Sequence, residues 1–269
     1  MRVLVTGGAG FVGTNLCRHL VEHGHEPIAF DDFSTGFRRN VLGADYEVVE
    51  GSVLDDECSR LVRSVDGVIH LAAIPSVPRS IDAPRPTHDV NATGTLELLR
   101  AAAFADAPPH VVVASSSSVY GANPTLPKRE DMVCQPMSPY AVSKLATEQY
   151  TLAWQRSYGL GTLAFRFFNV FGPYQAPGHA YAAVVPAFVD AALSDRPVQV
   201  HGDGEQSRDF TYVGTVCETL RLAVERRVTH PTPVNLAFGT RVTLLELLAL
   251  IEERVGHPLE REHGPARTG

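Results

Sequence analysis

Short apolar runs rich in β-branched residues recur through the N-terminal two thirds of the chain. They occupy residues 2–6, 27–30, 46–50, 67–72, 110–114 and 162–168. Because apolar and polar residues do not alternate within them, they are typical of strands covered on both faces. Helical patterns separate the runs, at about residues 11–23, 55–63 and 87–104. This alternation predicts an α/β fold with a doubly wound parallel sheet and right-handed crossovers.

The order of elements becomes less regular after residue 168. Loops rich in Pro and Gly separate helices predicted near residues 181–194, 210–227 and 243–255. We therefore predict two units, a doubly wound domain over residues 1–168 and a smaller C-terminal lobe over residues 169–269.

Composition excludes several classes of function. A formal net charge of -7 on 269 residues offers no attractive field to a phosphate backbone, so we expect no nucleic-acid partner. The four cysteines lack C-x-x-C spacing, which favours reduced thiols over a disulfide or zinc framework. No apolar run approaches the ~20 residues of a membrane span, and no signal peptide precedes the first strand. We expect a soluble, cytoplasmic protein with no membrane partner.

A glycine-rich turn follows the first strand. In "TGGAGFVG", Gly7, Gly10 and Gly13 allow a tight turn into a helix whose free N–H groups can receive a pyrophosphate. Asp31 ends the second strand eighteen residues after Gly13, near the ~20 expected of the acid that binds a ribose 2′-hydroxyl. A carboxylate there favours NAD over NADP, although Arg38 and Arg39 leave a 2′-phosphate open as the alternative.

Tyr140 and Lys144 in "SPYAVSK" are candidates for proton-transfer chemistry. Ser138 and Pro139 predict a helix start, and the i, i+4 spacing places Lys144 one turn from the phenol. The cation and the helix N-terminus should both lower the pKa of Tyr140. The alternative is an ordinary amphipathic helix with a solvated lysine.

Four serines follow the strand "HVVVA". Ligands of doubly wound folds bind at the carboxyl ends of the strands, so these hydroxyls should face the same crevice as the glycine turn and Tyr140. The alternative is a flexible serine-rich loop.

Eight motifs together resemble the extended short-chain dehydrogenase/reductases that act on nucleotide sugars, especially the UDP-hexose 4-epimerases. They are "TGGAGFVG", "DDFSTG", "HLAA", "NATGT", "SSSSVYG", "YAVSK", "RFFNVFGP" and "GDGEQSRDFTYV". The resemblance implies an NAD-binding Rossmann domain and reversible C4 epimerisation through a 4-keto sugar. Tyr140 would be the base, Lys144 would bind the nicotinamide ribose, and Ser116 would share the hydrogen bond at the 4-hydroxyl. Ser117 and Ser118 stand where related dehydratases carry Asp and Glu, which disfavours elimination of water.

The resemblance also implies the binding residues. Besides Tyr140 and Lys144, those for NAD are Gly7, Gly10, Phe11, Val12, Gly13, Asp31, Asp32, Ser34, Thr35, Gly36, Ser52, Val53, Leu71, Ala72, Ala73, Asn91 and Phe167. Besides Tyr140, those for the UDP-sugar are Val77, Arg79, Ser116, Ser117, Ser118, Asn169, Ala183, Val184, Phe188, Gln199, His201, Arg208 and Arg267. Ser52 replaces a frequent aspartate, which should weaken the hold on adenine. Relatives continue beyond the segment of Arg267, so a shortened lobe is expected.

Two further expectations concern metals and assembly. His19, His23 and His25 have spacing that could hold a metal, but no carboxylate or cysteine partner is evident in the sequence, and we expect none to be bound. The resemblance implies a homodimer in which the Tyr140 helix and the preceding long helix form the interface.

Other functions remain open at this point. A UDP-glucuronate 4-epimerase, or another nucleotide-sugar dehydratase or ketoreductase, would use the same fold. A non-catalytic NAD-binding module is the alternative of a different class, although such relatives typically lose the tyrosine or the lysine.

Overall fold

The computed structural model describes residues 1–177 and 183–265. In chain order the strands are β1 (Arg2–Thr6), β2 (Glu26–Asp31), β3 (Glu47–Glu50), β4 (Gly67–His70), β5 (His110–Ser116), β6 (Thr162–Phe167), β7 (Asn169–Phe171), β8 (Val198–His201), β9 (Ser207–Arg208), β10 (Phe210–Tyr212), β11 (Val234–Leu236), β12 (Val242–Thr243) and β13 (Arg261–Gly264). The α-helices are α1 (Phe11–Glu22), α2 (Asp56–Val62), α3 (Val77–Asp82), α4 (Pro84–His88), α5 (Gly94–Ala103), α6 (Pro139–Tyr158), α7 (Val184–Leu193), α8 (Val213–Glu225) and α9 (Leu244–Val255).

A seven-stranded parallel sheet forms the centre of the fold. Its strand order is β11-β6-β5-β4-β1-β2-β3, so the chain runs outward from β1 in both directions. Successive residues of β1 explain why its sequence is apolar throughout. Val3 and Val5 pack in the core formed with α1 and α8, whereas Leu4 packs in the core formed with α2 and α5. The predicted doubly wound α/β fold is confirmed.

The small lobe has its own core around α7, α9 and the parallel pair β8 and β13. However, α8 packs in the same core as α1, and β11 extends the large sheet beside β6. The segment predicted to form the lobe therefore also completes the first domain. The helix predicted to begin at residue 210 begins at Val213, because Phe210–Tyr212 pairs with β7 instead.

The helix predicted over residues 87–104 is a longer, composite segment. It comprises α4, a π-helical turn over Asp89–Thr93, and α5. The short helix α3 before it was not predicted; the Ser76 side chain caps it by accepting a hydrogen bond from the Arg79 N–H.

Nowhere in the described residues is there a helix with the length and apolar character that a membrane crossing requires.

Candidate active site

One large cavity lies at the carboxyl ends of β1, β2, β4, β5 and β6. Its volume is about 1160 Å³, above the roughly 300–1,000 Å³ of ordinary small-molecule pockets. The glycine turn and Asp31 lie along it, together with Tyr140 of α6 and Arg208 of the smaller lobe. A single cavity thus connects the residues predicted to bind a dinucleotide with those predicted to bind a nucleotide sugar.

The turn between β1 and α1 requires its glycines. Gly7 has a φ of 72°, and a Cβ there would lie 2.9 Å from the Ala72 nitrogen. A Cβ on Gly13 would lie 2.1 Å from the Gly7 carbonyl oxygen. No side chain caps α1, because the residue before its first turn is Gly10, so N–H groups of that turn remain available at the cavity. The cradle therefore fits the pyrophosphate of NAD, which carries negative charge to a helix N-terminus.

Asp31 is held rigidly at the end of β2. Its carboxylate accepts hydrogen bonds from the N–H groups of Ala9 (3.0 Å) and Phe33 (2.8 Å). Burial raises the pKa of Asp31, while these backbone bonds act in the opposite direction. Asp31 lines the cavity with lone pairs still available, as recognition of a ribose hydroxyl requires.

The two arginines that could have held a 2′-phosphate do not line the cavity. Arg38 bonds to Glu50 at 2.5 Å and stacks over the Phe33 ring, and Arg39 stacks over Phe37. The residues present fit NAD rather than its 2′-phosphorylated form.

Most of the predicted NAD residues border the cavity. They are Gly7, Gly10, Phe11, Val12, Gly13, Asp31, Asp32, Ser34, Thr35, Val53, Leu71, Ala72, Ala73, Tyr140, Lys144 and Phe167.

Three predicted NAD residues do not border it. Gly36 lies against the Asp31 carboxylate, where a Cβ would come within 2.8 Å. The Ser52 hydroxyl accepts a hydrogen bond from the Leu54 N–H, within the loop that precedes α2. Asn91 is 1 % exposed; its side chain accepts a hydrogen bond from the Ile74 N–H and donates to the Ser143 hydroxyl. These three residues therefore contact the segments around the cavity but do not line it themselves.

The helix start predicted before Tyr140 is present. Ser138 caps α6 by accepting a hydrogen bond from the Ala141 N–H, and Pro139 is the first helical residue. This start brings Tyr140 to the cavity beside Ser116 at the end of β5, where both residues line it. The structure thus brings the predicted phenol and serine together.

The expected lowering of the pKa of Tyr140 is wrong for this structure. Burial raises that pKa, and the neighbouring Ser116 hydroxyl offsets only part of the rise. The Lys144 ammonium donates instead to the Ala114 carbonyl oxygen at 2.8 Å, and burial lowers its own pKa to about 8. Lys144 lies one turn from Tyr140, but its charge is directed to the end of β5.

The four serines occupy different environments. Ser116 borders the cavity, and its hydroxyl also accepts a hydrogen bond from the Ser118 N–H at 3.2 Å. Ser117 and Ser118 begin a 3₁₀ turn and do not border the cavity. The enclosed Ser118 hydroxyl has no partner among the described residues. The prediction that these two serines contact the sugar therefore finds no support here.

Residues predicted for the nucleotide sugar form the other end of the cavity. Those that border it are Asn169, Ala183, Val184, Phe188, Gln199, His201 and Arg208. The Arg208 guanidinium makes one hydrogen bond within the described part of the chain, to the Ser207 carbonyl oxygen, so most of its donors remain available. It can therefore bind phosphate oxygens in bidentate fashion.

Two residues predicted for the sugar on the helix α3 are not brought to this end. Val77 and Arg79 are exposed on α3 and do not border the cavity, whereas the preceding Pro75 does. Arg267 lies outside the described residues.

Some lining residues were not predicted. Phe168, Phe171, Gln206 and Phe210 lie within the motifs "RFFNVFGP" and "GDGEQSRDFTYV", so the motifs located the segments but not every side chain that faces inward. The loop residue Tyr174 also lines the cavity, without a motif to mark it.

The histidines of α1 have a carboxylate neighbour that the sequence did not indicate. Glu218 of α8 lies 2.9 Å from His19 Nε2, and His23 is close enough for the three groups to surround an ion. Arg221, however, bonds to both Glu218 oxygens, and Arg221 and His19 lower the pKa of that carboxyl to about 2. This arrangement is an ion-pair network that joins α1 to α8.

Comparison with known proteins places this geometry in a family. Residues 3–237 match the NAD dependent epimerase/dehydratase family. The chain is 36% identical over 275 residues to a UDP-glucose 4-epimerase of Mycolicibacterium smegmatis, covering 100% of this chain and 87% of that protein.

Two solved structures are also similar over the whole chain. The UDP-N-acetylglucosamine 4-epimerase from Methanobrevibacter ruminantium superposes with a TM-score of 0.93 at 33% identity, covering 100% of this chain and 86% of that one. The UDP-glucose 4-epimerase of Thermus thermophilus in complex with NAD gives 0.88 at 35% identity, covering 100% and 88%. This chain belongs to the NAD dependent epimerase/dehydratase family.

Proposed function

We propose that this protein interconverts the C4 epimers of a UDP-sugar, using bound NAD. The observation that carries the proposal is the single cavity in which the glycine cradle, the Ser116–Tyr140 pair and the Arg208 guanidinium meet. The similar proteins named for UDP-glucose and UDP-N-acetylglucosamine 4-epimerisation support this assignment. UDP-glucose and UDP-N-acetylglucosamine are therefore the favoured substrates.

The residues of the cavity divide the work of the reaction. The glycine turn and Asp31 would hold NAD, which would supply the acceptor and donor for the hydride of C4. Tyr140 exchanges a proton with the 4-hydroxyl, and Ser116 hydrogen-bonds the same oxygen as its charge changes. Lys144 supplies a positive charge beside the cofactor ribose. Burial raises the pKa of Tyr140 in this structure, so that pKa must fall when NAD and substrate are bound if the phenol is to act as a base at neutral pH. Asn169 and Arg208 hold the diphosphate, while Phe188 packs at the uracil end.

Elimination of water is not supported by the serines after Ser116. Ser117 and Ser118 are hydroxyl residues that do not border the cavity, and they offer neither an acid nor a base at neutral pH. This observation favours an outcome limited to oxidation and reduction at C4.

The domain division and the assembly are parts of the same proposal. Residues 1–168 hold NAD and the catalytic groups, and residues 169–269 supply the anchors for UDP while returning through α8 and β11 to the large sheet. A homodimer through α5 and α6 is favoured by the exposed apolar groups there: Phe104 is 64% exposed, Tyr158 53% and Val142 51%. The cytoplasm, which supplies nucleotide sugars, is the proposed location.

A direct assay tests the function. The purified protein, with NAD supplied, is incubated separately with UDP-glucose, UDP-N-acetylglucosamine and UDP-glucuronic acid, and the epimers are separated by chromatography. We expect one of the first two to equilibrate with its C4 epimer, and Tyr140→Phe to abolish this while retaining NAD. Conversion of UDP-glucuronic acid alone would reassign the sugar, and full activity of Tyr140→Phe would remove the phenol from its role. No conversion of any of the three would contradict the proposal.

Light scattering tests the assembly. We expect twice the mass of one chain, and Tyr158→Lys should shift the protein toward the monomer. A monomeric parent protein would contradict the dimer.

A further inference from the structure

Ser115, the first of the four serines, has no part in the function proposed above, yet it is deeply engaged. It is 3% exposed, and its hydroxyl lies 3.0 Å from a Glu148 carboxylate oxygen and 3.2 Å from the Lys144 carbonyl oxygen. Side chains two residues apart on a strand share a face. Val111 and Val113 pack on the side of α5 and the Trp154 end of α6, so Ser115 is directed at the helix layer.

Both ends of this contact adjoin the catalytic residues. Ser115 precedes Ser116 in β5. On α6, Glu148 lies one turn after Lys144, which lies one turn after Tyr140. The hydroxyl of Ser115 therefore joins the strand that carries the catalytic serine to the helix that carries the phenol, at the level of the lysine.

The helix side of the contact is itself fixed. The Glu148 carboxylate accepts hydrogen bonds from Arg166 of β6 at 2.7 and 3.0 Å. Neither side chain of this pair is exposed beyond 3%. Because Arg166 belongs to the strand beside β5, Glu148 cannot shift without breaking a buried ion pair.

We propose that Ser115 is a positioning residue. Through Glu148 and the Lys144 carbonyl it holds α6 at the distance from β5 that places the Tyr140 phenol beside Ser116 at the cavity. The inference rests on the proposed roles of Ser116 and Tyr140, and its test is arranged to separate the two.

The chain offers a matched control. Thr162 of β6 is fully buried, and its hydroxyl donates to the Thr151 carbonyl oxygen of the same helix at 3.2 Å. Thr162→Val thus removes a buried bond between the sheet and α6, away from the catalytic turn. Ser115→Ala removes a bond between the sheet and α6 beside the catalytic turn. Thr162→Val loses one neutral hydrogen bond, and Ser115→Ala loses a hydroxyl that contacts a carboxylate still paired with Arg166, so both should fold.

The experiment compares crystal structures and kinetics of the two variants, both with NAD bound. In Ser115→Ala we expect the distance between Ser116 Oγ and Tyr140 Oη to exceed that in the parent protein, while Thr162→Val keeps the parent distance. In single turnovers of the epimerised sugar, Ser115→Ala should be slower by about tenfold, with KM and NAD content unchanged. Thr162→Val should keep the parent rate.

The outcomes distinguish the inference from the function on which it rests. An unchanged Ser116–Tyr140 distance in Ser115→Ala overturns the positioning role whether or not the protein turns over a sugar. Equal slowing of both variants also overturns it, because any loosening of α6 would then suffice. A parent protein that converts no UDP-sugar overturns the proposed function, while the crystallographic comparison still decides the role of Ser115.

Discussion

The ion pair between Glu148 and Arg166 should dominate the stability of the region beneath the cavity. The two side chains are 0% and 3% exposed and make two direct hydrogen bonds, of 2.7 and 3.0 Å. Burial alone would lower the pKa of Arg166, but the Glu148 carboxylate, together with the nearby Tyr120 side chain, outweighs burial and raises it. Each charge is therefore tolerated only while its partner is present.

Removing either partner alone should be severely destabilising. Glu148→Leu leaves the guanidinium of Arg166 with the Cys134 sulfur at 3.2 Å and the Tyr120 ring at 4.7 Å, and neither of them carries a compensating charge. Arg166→Met leaves the carboxylate with the Ser115 hydroxyl. We expect each single variant to lose about 3–5 kcal/mol of unfolding free energy. The double variant, in which no charge is buried, should lie within about 1 kcal/mol of the parent.

Urea unfolding at pH 7, followed by far-ultraviolet circular dichroism, measures these differences. The exposed pair Arg129–Asp131, whose side chains are each 66% exposed, is the control, and removing it should have no resolvable effect. If the effects of the two single substitutions simply add in the double variant, the pair is not coupled and the reasoning is wrong. The same conclusion follows if either single variant keeps its stability within about 1 kcal/mol of the parent.

Three further perturbations test the cofactor cradle and the pH response. Gly13→Ala should yield protein without NAD, since its Cβ would lie 2.1 Å from the Gly7 carbonyl oxygen. Gly24→Ala has no atom within 4 Å and carries only the local strain of a φ of 76°, so it should retain NAD in the same chromatographic assay. Asp31→Ala should weaken NAD binding by about tenfold in calorimetry, since a buried acceptor is lost, and unchanged affinity would place the ribose elsewhere. Burial lowers the pKa of His70 to about 3, so the unfolded chain binds the extra proton below about pH 6.5. Stability should then fall by up to about 2 kcal/mol between pH 6.5 and 5, and His70→Gln should remove that part of the fall in urea titrations at the two pH values.

Periodic and local features of the sequence were sufficient to predict the fold. The uninterrupted apolar run of β1 requires cover on both faces, and the two cores on either side of the sheet provide it. The glycine turn is equally local, because Gly7 and Gly13 are each required by contacts within the turn and with one adjacent loop. Ser138 and Pro139 marked the start of α6 correctly for the same reason.

Properties that depend on distant partners could not be obtained in this way. The direction of the pKa shift of Tyr140 depends on how deeply the phenol is buried and on where the Lys144 ammonium is directed, and neither follows from i, i+4 spacing. The Glu218 carboxylate beside His19 comes from 199 residues along the chain. Arg79 was predicted to bind the sugar, but it lies exposed on α3, whose start the Ser76 side chain caps.

The four serines after Ala114 show how one residue type can serve different purposes at adjacent positions of the chain. Period two along β5 assigns Ser115 to the face of Val111 and Val113, where the helix layer supplies Glu148. Ser116 lies on the opposite face of β5, at the residue where the strand ends and the sheet edge opens to the cavity. A shift of one residue in the register of β5 would exchange the two environments, since it moves each side chain to the other face. The position at which the strand ends, rather than the hydroxyl itself, therefore determines which serine meets the phenol and which meets the carboxylate.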